Sequence, residues 1–443
     1  MAMNIKDYLE QGPASSKEIQ ATTGLSQTAV ARQLRNLGDR VITLKEGRSR
    51  RYALATNAYG ADDKLLLVMV DPYGNWVPVA DIRPLAHGGF YVDGRAGMPQ
   101  VLLGEKGDGL YDDLPYFLYD LAPQGFLGRQ IAKHMASRSG EFPEDPKHWQ
   151  SNHIGRYLIS NGDDLPGNFK FGPQAIYRVT RKPTPVGEND YPALADAVMS
   201  GSIPGSSAGG EQPKFTAFSA ERSAHVIVKF SPKEKNELSR RWRDILITEF
   251  HATEVLNETG FPAAQTRLIE KQGRLFLESI RFDRSGQDGR LSMISLQAVD
   301  AEFTGLGSNW PNVMVGLHQK GLVNDTHVID AEGLWHFGRL INNTDMHLGN
   351  LSLAIDGHVF RLLPAYDMCS MGFAPKSGDE AGQYNFIAPD IKPVITNKKT
   401  VDNIKQVARE FWFRVANDDR ISEELRRFLA QGNPIDLLEN NQP

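Results

Sequence analysis

The chain has 443 residues, 40% of them hydrophobic and 23% charged, with 41 glycines and 25 prolines; it is about three times the length of a typical domain of about 150 residues, and its composition is neither fibrous, peptide-like nor disordered. The one cysteine, Cys369, excludes an internal disulfide, and no early apolar leader or long apolar run marks a signal peptide or a membrane span, so a reducing cytoplasm and no membrane partner are expected. The formal charge of −5 is unevenly spread: residues 1–55 hold nine Lys/Arg against five Asp/Glu, net +4, which leaves −9 for the rest and points to different partners for the two parts.

Within the basic segment, Ile5, Tyr8 and Leu9 at helical spacing predict a short helix ended by Gly12-Pro13. Ser15 with Glu18 three residues on is a capping-box signal for a second helix to about Thr22; Gly24 permits a tight turn, and Ser26 begins a third segment over 27–37. Residues 40–44 and 51–55 flank a polar, Gly-containing tip, which predicts a basic β-hairpin. The pattern resembles a winged helix-turn-helix DNA-binding module over 1–57. In that reading Gln27, Thr28, Arg32 and Arg35 face the major groove, while Arg48, Arg50 and Arg51 reach backbone phosphates or the minor groove. A small packing domain with solvated charges is the alternative.

From Lys64 onward, short apolar runs broken by Asp71-Pro72, Gly74-Asn75 and His87-Gly88-Gly89 predict an antiparallel β-rich subdomain over 58–200 that becomes more helical after Tyr116. Asp163 and Asp164 have the chemistry to hold a cation, but in a Gly/Pro-rich loop they read as turn residues.

Residues 201–214 combine four glycines, two adjacent hydroxyls and a terminal lysine. Backbone amides can approach an anion closely there, through Ser207, Ala208, Gly209, Gly210 and Lys214, although the segment is not a P-loop and an ordinary linker has a similar composition. Strands are predicted over 215–218 and 225–230, with Lys229 alternating with apolar positions. In the helix predicted over 238–259, Ile245, Glu249, Ala252 and Leu256 share a stripe, so a cation and an anion both point inward. A strand lysine held by a helix glutamate beneath a Gly-rich loop is how protein kinases grip α/β-phosphates; a snorkelling lysine and a solvated acid are the plainer readings of each alone.

The strongest signal is Asp345-Met346-His347-Leu348-Gly349-Asn350 followed by Tyr366-Asp367. Taking Asp356-Gly357 as a hairpin turn puts Asn350 opposite Leu363, with Asp367 at the same open end, a pair of oxygen ligands suited to Mg²⁺. Asp345 is then placed to orient or deprotonate an acceptor hydroxyl. His347 is expected to brace this loop and Cys369 to pack near Asp367.

Together, the run from Ser206 to Lys214, Arg281-Phe282-Asp283-Arg284, Asp345-x-His347-x-x-Asn350 and Tyr366-Asp367 resemble the HipA family of bacterial toxin kinases over about residues 60–430, and the fused winged helix is similar to its YjjJ-like branch. The resemblance implies an α+β fold: a winged helix-turn-helix (1–57), a β-rich subdomain (58–200), an ATP-binding lobe (201–284) and a mainly helical catalytic lobe (285–443) in a bilobal, protein-kinase-like arrangement. It implies ATP- and Mg²⁺-dependent serine/threonine phosphorylation. Lys229 contacts phosphates and Glu249 supports it; Ser279, Ile280, Arg281 and Phe282 border the adenine, with His347 also on the nucleotide; Asp345 is catalytic, and Asn350 and Asp367 hold Mg²⁺. Ser206 or Ser207 matches the self-phosphorylated loop serine, where about −2 of added charge repels the ATP phosphates. The implied partners are DNA, a protein substrate bearing Ser/Thr, such as a translation factor, and an antitoxin, although this chain carries a DNA-binding module of its own. A transcription regulator with a nucleotide-sensing pseudokinase part and a Mg²⁺-dependent DNA-cleaving toxin are the rival readings.

Overall fold

The computed structural model describes residues 3–46, 49–172, 176, 182–201, 212–375, 384–386, 389, 391–396 and 398–435. Helix Ile5–Leu9 buries its two ends under an Asn4 cap. The reciprocal Ser15/Glu18 capping box starts helix Ser16–Thr23, Gly24 ends it at φ +71°, and Ser26 caps Gln27–Asn36. The three helices pack on a three-stranded antiparallel sheet in which Ser49–Leu54 lies between Ala14–Ser15 and Val41–Glu46. Ile5, Leu9, Ile19, Val30, Leu34 and Leu54 form the small core between them.

Backbone pairing sews this unit to the next one in the chain. Ala55 bridges to Leu85, Thr56 N–H donates to Pro84 O at 2.9 Å, and Ala86 N–H donates to Leu54 O at 2.8 Å. The buried Arg83 guanidinium donates to Asp39 O at 2.7 Å and to Asp63 O at 2.8 Å. The next sheet is antiparallel, ordered Leu110–Tyr111, Phe90–Gly94, Trp76–Pro84, Leu65–Val70, Phe169–Phe171, and shares a core with helices Gly125–Ser139 and Ser151–Asn161.

A second five-stranded sheet runs Thr266–Lys271, Arg274–Ile280, Ala224–Phe230, Lys214–Ser219, Pro185–Val186. Val226, Val228 and Phe230 pack with Tyr191, Ala195 and Val198 of helix Tyr191–Met199 on one face. Side chains alternate along a strand, so Lys229 faces the opposite way, toward helix Glu237–Glu258.

Helices Leu296–Phe303, Trp310–Gln319, Asp325–Leu340, Lys398–Ala416 and Glu423–Leu429 surround a core that includes Trp310, Phe337, Phe411 and Trp412. They hold the hairpin Ser352–Asp356/Val359–Leu362, whose register corrects the sequence expectation. Asp356 pairs with Val359, so the two-residue tip is Gly357-His358, not Asp356-Gly357; glycine takes the first tip position, where φ is +61°. Leu363 N–H therefore donates to Ser352 O, and Asn350 is not opposite Leu363 but lies in the 3₁₀ turn Leu348–Asn350 before the strand. The chain is a mixed α+β protein, and no helix among the described residues is long and apolar enough to cross a membrane.

Candidate functional site

In the second sheet, Lys214 and Lys229 are direct cross-strand partners, and both are buried. Two ammonium groups opposite each other on one face repel, so this face requires negative charge. Glu249 supplies it from the long helix: Lys229 Nζ donates to both Glu249 oxygens at 2.6 Å, and to Asp367 Oδ1 as well. Burial alone depresses the Lys229 ammonium, but Asp367 and then Glu249 outweigh it and hold the group well above its ordinary value. Burial likewise pushes Asp367 up, yet Lys229 and then Lys214 bring its carboxyl below the usual carboxylate range. Burial raises Glu249, and Lys229 opposes that rise.

Asp367 joins this cluster to the loop that carries Asp345 and Asn350. Asn343 Nδ2 donates to Asp367 O at 3.3 Å, Asp345 N–H donates to Asn343 Oδ1 at 3.0 Å, and Asn350 Nδ2 donates to Asp345 O at 2.7 Å. Glu249, Lys229, Asp367, Asn343, Asp345 and Asn350 thus form one continuous hydrogen-bonded chain. His347 Nδ1 accepts from Gly349 N–H within the loop, and its backbone oxygen accepts from the buried Trp310 indole at 2.9 Å, which ties the loop to helix Trp310–Gln319. Tyr366 donates to Gly349 O, and its ring lies tilted against Phe282 with centroids 5.7 Å apart, linking the loop to the segment that follows strand Arg274–Ile280. Half-exposed Asp345 lines a cavity of about 380 Å³ with Trp335, Arg339, Thr344 and Met346. Cys369 is buried with its thiol pushed well up by burial, and its Sγ lies 3.9 Å from Asp367 O.

Among the described residues no three His, Cys, Asp or Glu side chains gather as a metal cage. The Asp367 carboxylate and the Asn350 amide offer oxygen donors of the kind Mg²⁺ takes, since that ion is commonly held by one or two carboxylates and substrate phosphates, and the hydrogen-bonded chain through Asn343 and Asp345 connects the two residues.

Ser279 and Ile280 end strand Arg274–Ile280, half-buried, opposite Ile227 and Val226. Arg281, the next residue, turns its side chain into a buried ion cluster. Its guanidinium is buried and donates to both oxygens of Asp283 at 3.0 and 2.9 Å, with Asp164 at 3.4 Å; Arg284 binds Asp283 and Asp164 as well. Asp164, read from sequence as a turn residue, therefore ties the first large sheet's domain to the second. Ser206, Ser207, Ala208, Gly209 and Gly210 lie outside the described residues, as does Arg48.

In the N-terminal unit Gln27, Thr28, Arg32 and Arg35 are exposed on one helix, and Arg50 is exposed on the hairpin. Arg51 is half-buried, and its guanidinium donates to Pro13 O at 2.5 Å across the sheet. Sequence reasoning missed Asn343, Trp310 and the Lys214/Lys229 pairing; the last was open to discovery, since the two predicted strands pair antiparallel in one register.

Residues 61–180 match the family described as YjjJ-like toxin, middle domain, and residues 206–430 match the HipA-like C-terminal domain. The chain is 36% identical over 441 residues to Toxin YjjJ of Escherichia coli (strain K12), covering 97% of this chain and 96% of that protein. Among solved structures, the HipA of the Shewanella oneidensis MR-1 toxin–antitoxin system, in complex with HipB and operator DNA, superposes with a TM-score of 0.56 at 16% identity, covering 85% of this chain and 96% of that one.

Proposed function

The chain belongs to the HipA family of toxins, in its YjjJ-like branch, and from that membership we propose that it is an ATP- and Mg²⁺-dependent serine/threonine protein kinase with a DNA-binding N-terminal unit. The observation that carries the reading is the buried Lys229 ammonium held between Glu249 and Asp367 on a face doubled in positive charge by Lys214.

In this reading Lys229 and Lys214 take the phosphates of ATP, the loop with Ser207, Ala208, Gly209 and Gly210 covers them, and Ser279, Ile280 and Phe282 border the adenine. Asn350 and Asp367 hold Mg²⁺, which when bound neutralises charge on the phosphates. Asp345 orients the acceptor hydroxyl and accepts its proton on a carboxylate oxygen. Asn343 and Asn350 fix the loop that carries it, so the contribution of this chain is positioning and electrostatics. Phosphate on Ser206 or Ser207 adds about −2 of charge and expels the loop from the ATP phosphates. The domain limits at 57, 200 and 284 follow the same reading. The first unit, a winged helix-turn-helix, reads DNA through Gln27, Thr28, Arg32 and Arg35. The HipA neighbour assembled with HipB and operator DNA supports both DNA and an antitoxin as partners, and in this reading the substrate is a protein Ser/Thr hydroxyl, such as one on a translation factor.

Incubation of wild type and Asp345→Ala with labelled ATP/Mg²⁺, and separately with plasmid DNA, tests this. Transfer to protein in the wild type, falling by at least about 10²-fold in Asp345→Ala, is expected. Asp345-dependent nicking without transfer makes the chain a metal-dependent nuclease, and neither activity makes it a nucleotide-sensing regulator.

A further inference from the structure

An ammonium has three N–H donors. In Lys229 all three are taken: two by the Glu249 oxygens at 2.6 Å and one by Asp367 Oδ1. A phosphate oxygen reaches this group only if one of those bonds is released. The two carboxylates are not equivalent: the Glu249 side chain is 4% exposed and grips with both oxygens, whereas that of Asp367 is 25% exposed and holds with one. The bond to Asp367 is therefore the one that yields.

Resting on the kinase reading above, we infer that Lys229 is a lock on the metal-binding carboxylate: without nucleotide its ammonium occupies Asp367, and a divalent ion gains that oxygen only when the nucleotide phosphates draw the ammonium away. A divalent cation and an ammonium on one carboxylate oxygen lie only a few ångströms apart and repel strongly in a low-dielectric site. Lys214, opposite Lys229 on the same face, adds to that repulsion. Triphosphate reverses the balance by bringing negative charge to both lysines while leaving Asp367 free. The order of assembly at the site is nucleotide first, or nucleotide and metal together, and the empty site discriminates against the bare ion.

The experiment titrates the full chain with Mn²⁺ in the absence of nucleotide, following free Mn²⁺ by electron paramagnetic resonance, with Asp367→Asn as the background. Lys229→Met is expected to hold Mn²⁺ about tenfold more tightly than wild type, or more, once the competing ammonium is gone. Glu249→Gln, which leaves Lys229 wholly to Asp367, is expected to bind no more tightly than wild type. General damage to a buried cluster moves both variants the same way, so a gain confined to the Lys229 variants separates the lock from loss of packing. Lys229→Gln, which retains a hydrogen-bond donor, gives the same increase if Lys229→Met folds poorly. Equal Asp367-dependent affinity in wild type and the Lys229 variants overturns the lock and leaves the kinase reading standing. Mn²⁺ binding by Lys229→Met that is unchanged when Asp367→Asn is added overturns the metal assignment, and the lock with it.

Discussion

Asp283 sits 4% exposed between two guanidiniums, accepting from Arg281 and Arg284 as well as from Gly167 N–H at 2.9 Å. Burial alone raises such a carboxyl, but Arg281 and then Arg284 outweigh it and hold the group far below its ordinary value. Asp283→Asn leaves the buried arginines short of counter-charge, and denaturant unfolding is expected to show a loss of about 3–5 kcal/mol at neutral pH. Because the folded value is depressed, this stabilisation is complete above the unfolded aspartate value of about 3.9 and fades as pH falls below it, so the stability curves of wild type and variant converge in acid. These roles were illegible in the sequence for a plain reason. Arg284 and Asp164 are 120 residues apart, and a pairing at that range leaves no periodic trace in the chain. Lys229 and Glu249 were legible because each sits out of place on an apolar pattern, one on a strand and one on a helix.

Where one element carries its own signal, its extent is legible to within a residue or two. The Ser15/Glu18 box, the Gly24 stop and the Ser26 cap bound the second and third helices that closely to their expected limits. The hairpin near Asp356 has a different tip from the expected one, because adjacent Asp and Gly leave open which of two positions glycine fills, and a one-residue shift in the turn moves each cross-strand partner by two. Helix Gln27–Asn36 presents Arg32 and Arg35 to solvent while burying Val30 and Leu34. If that face grips a duplex, Arg32→Ala/Arg35→Ala weakens binding and lowers the slope of log affinity against log salt by about two, as two phosphate contacts release fewer counterions. Fluorescence anisotropy over a salt series measures both; an unchanged slope removes this helix from the interface.

Across the molecule, shifts in charge and periodicity carry no trace of how one part is attached to the next. Backbone pairing of residues 54–56 with 84–86 joins two units that the sequence reading divides at residue 57, and Arg83 reaches back to Asp39 in the 3₁₀ turn after the third helix. Arg83→Ala removes the side-chain half of that seam. Cleavage between residues 55 and 64 under limited proteolysis is expected to speed up on the order of tenfold, equivalent to about 1.4 kcal/mol for two lost hydrogen bonds, while helix Glu237–Glu258 stays as protected as before. A seam made of sheet transmits orientation as well as proximity. Were the first fifty residues fastened on a double helix, the mouth beside Asp345 would be held at one bearing around it, as a lamp on a bracket lights one side of a post, and a target on the far side of the same DNA would stay out of reach however near it lay.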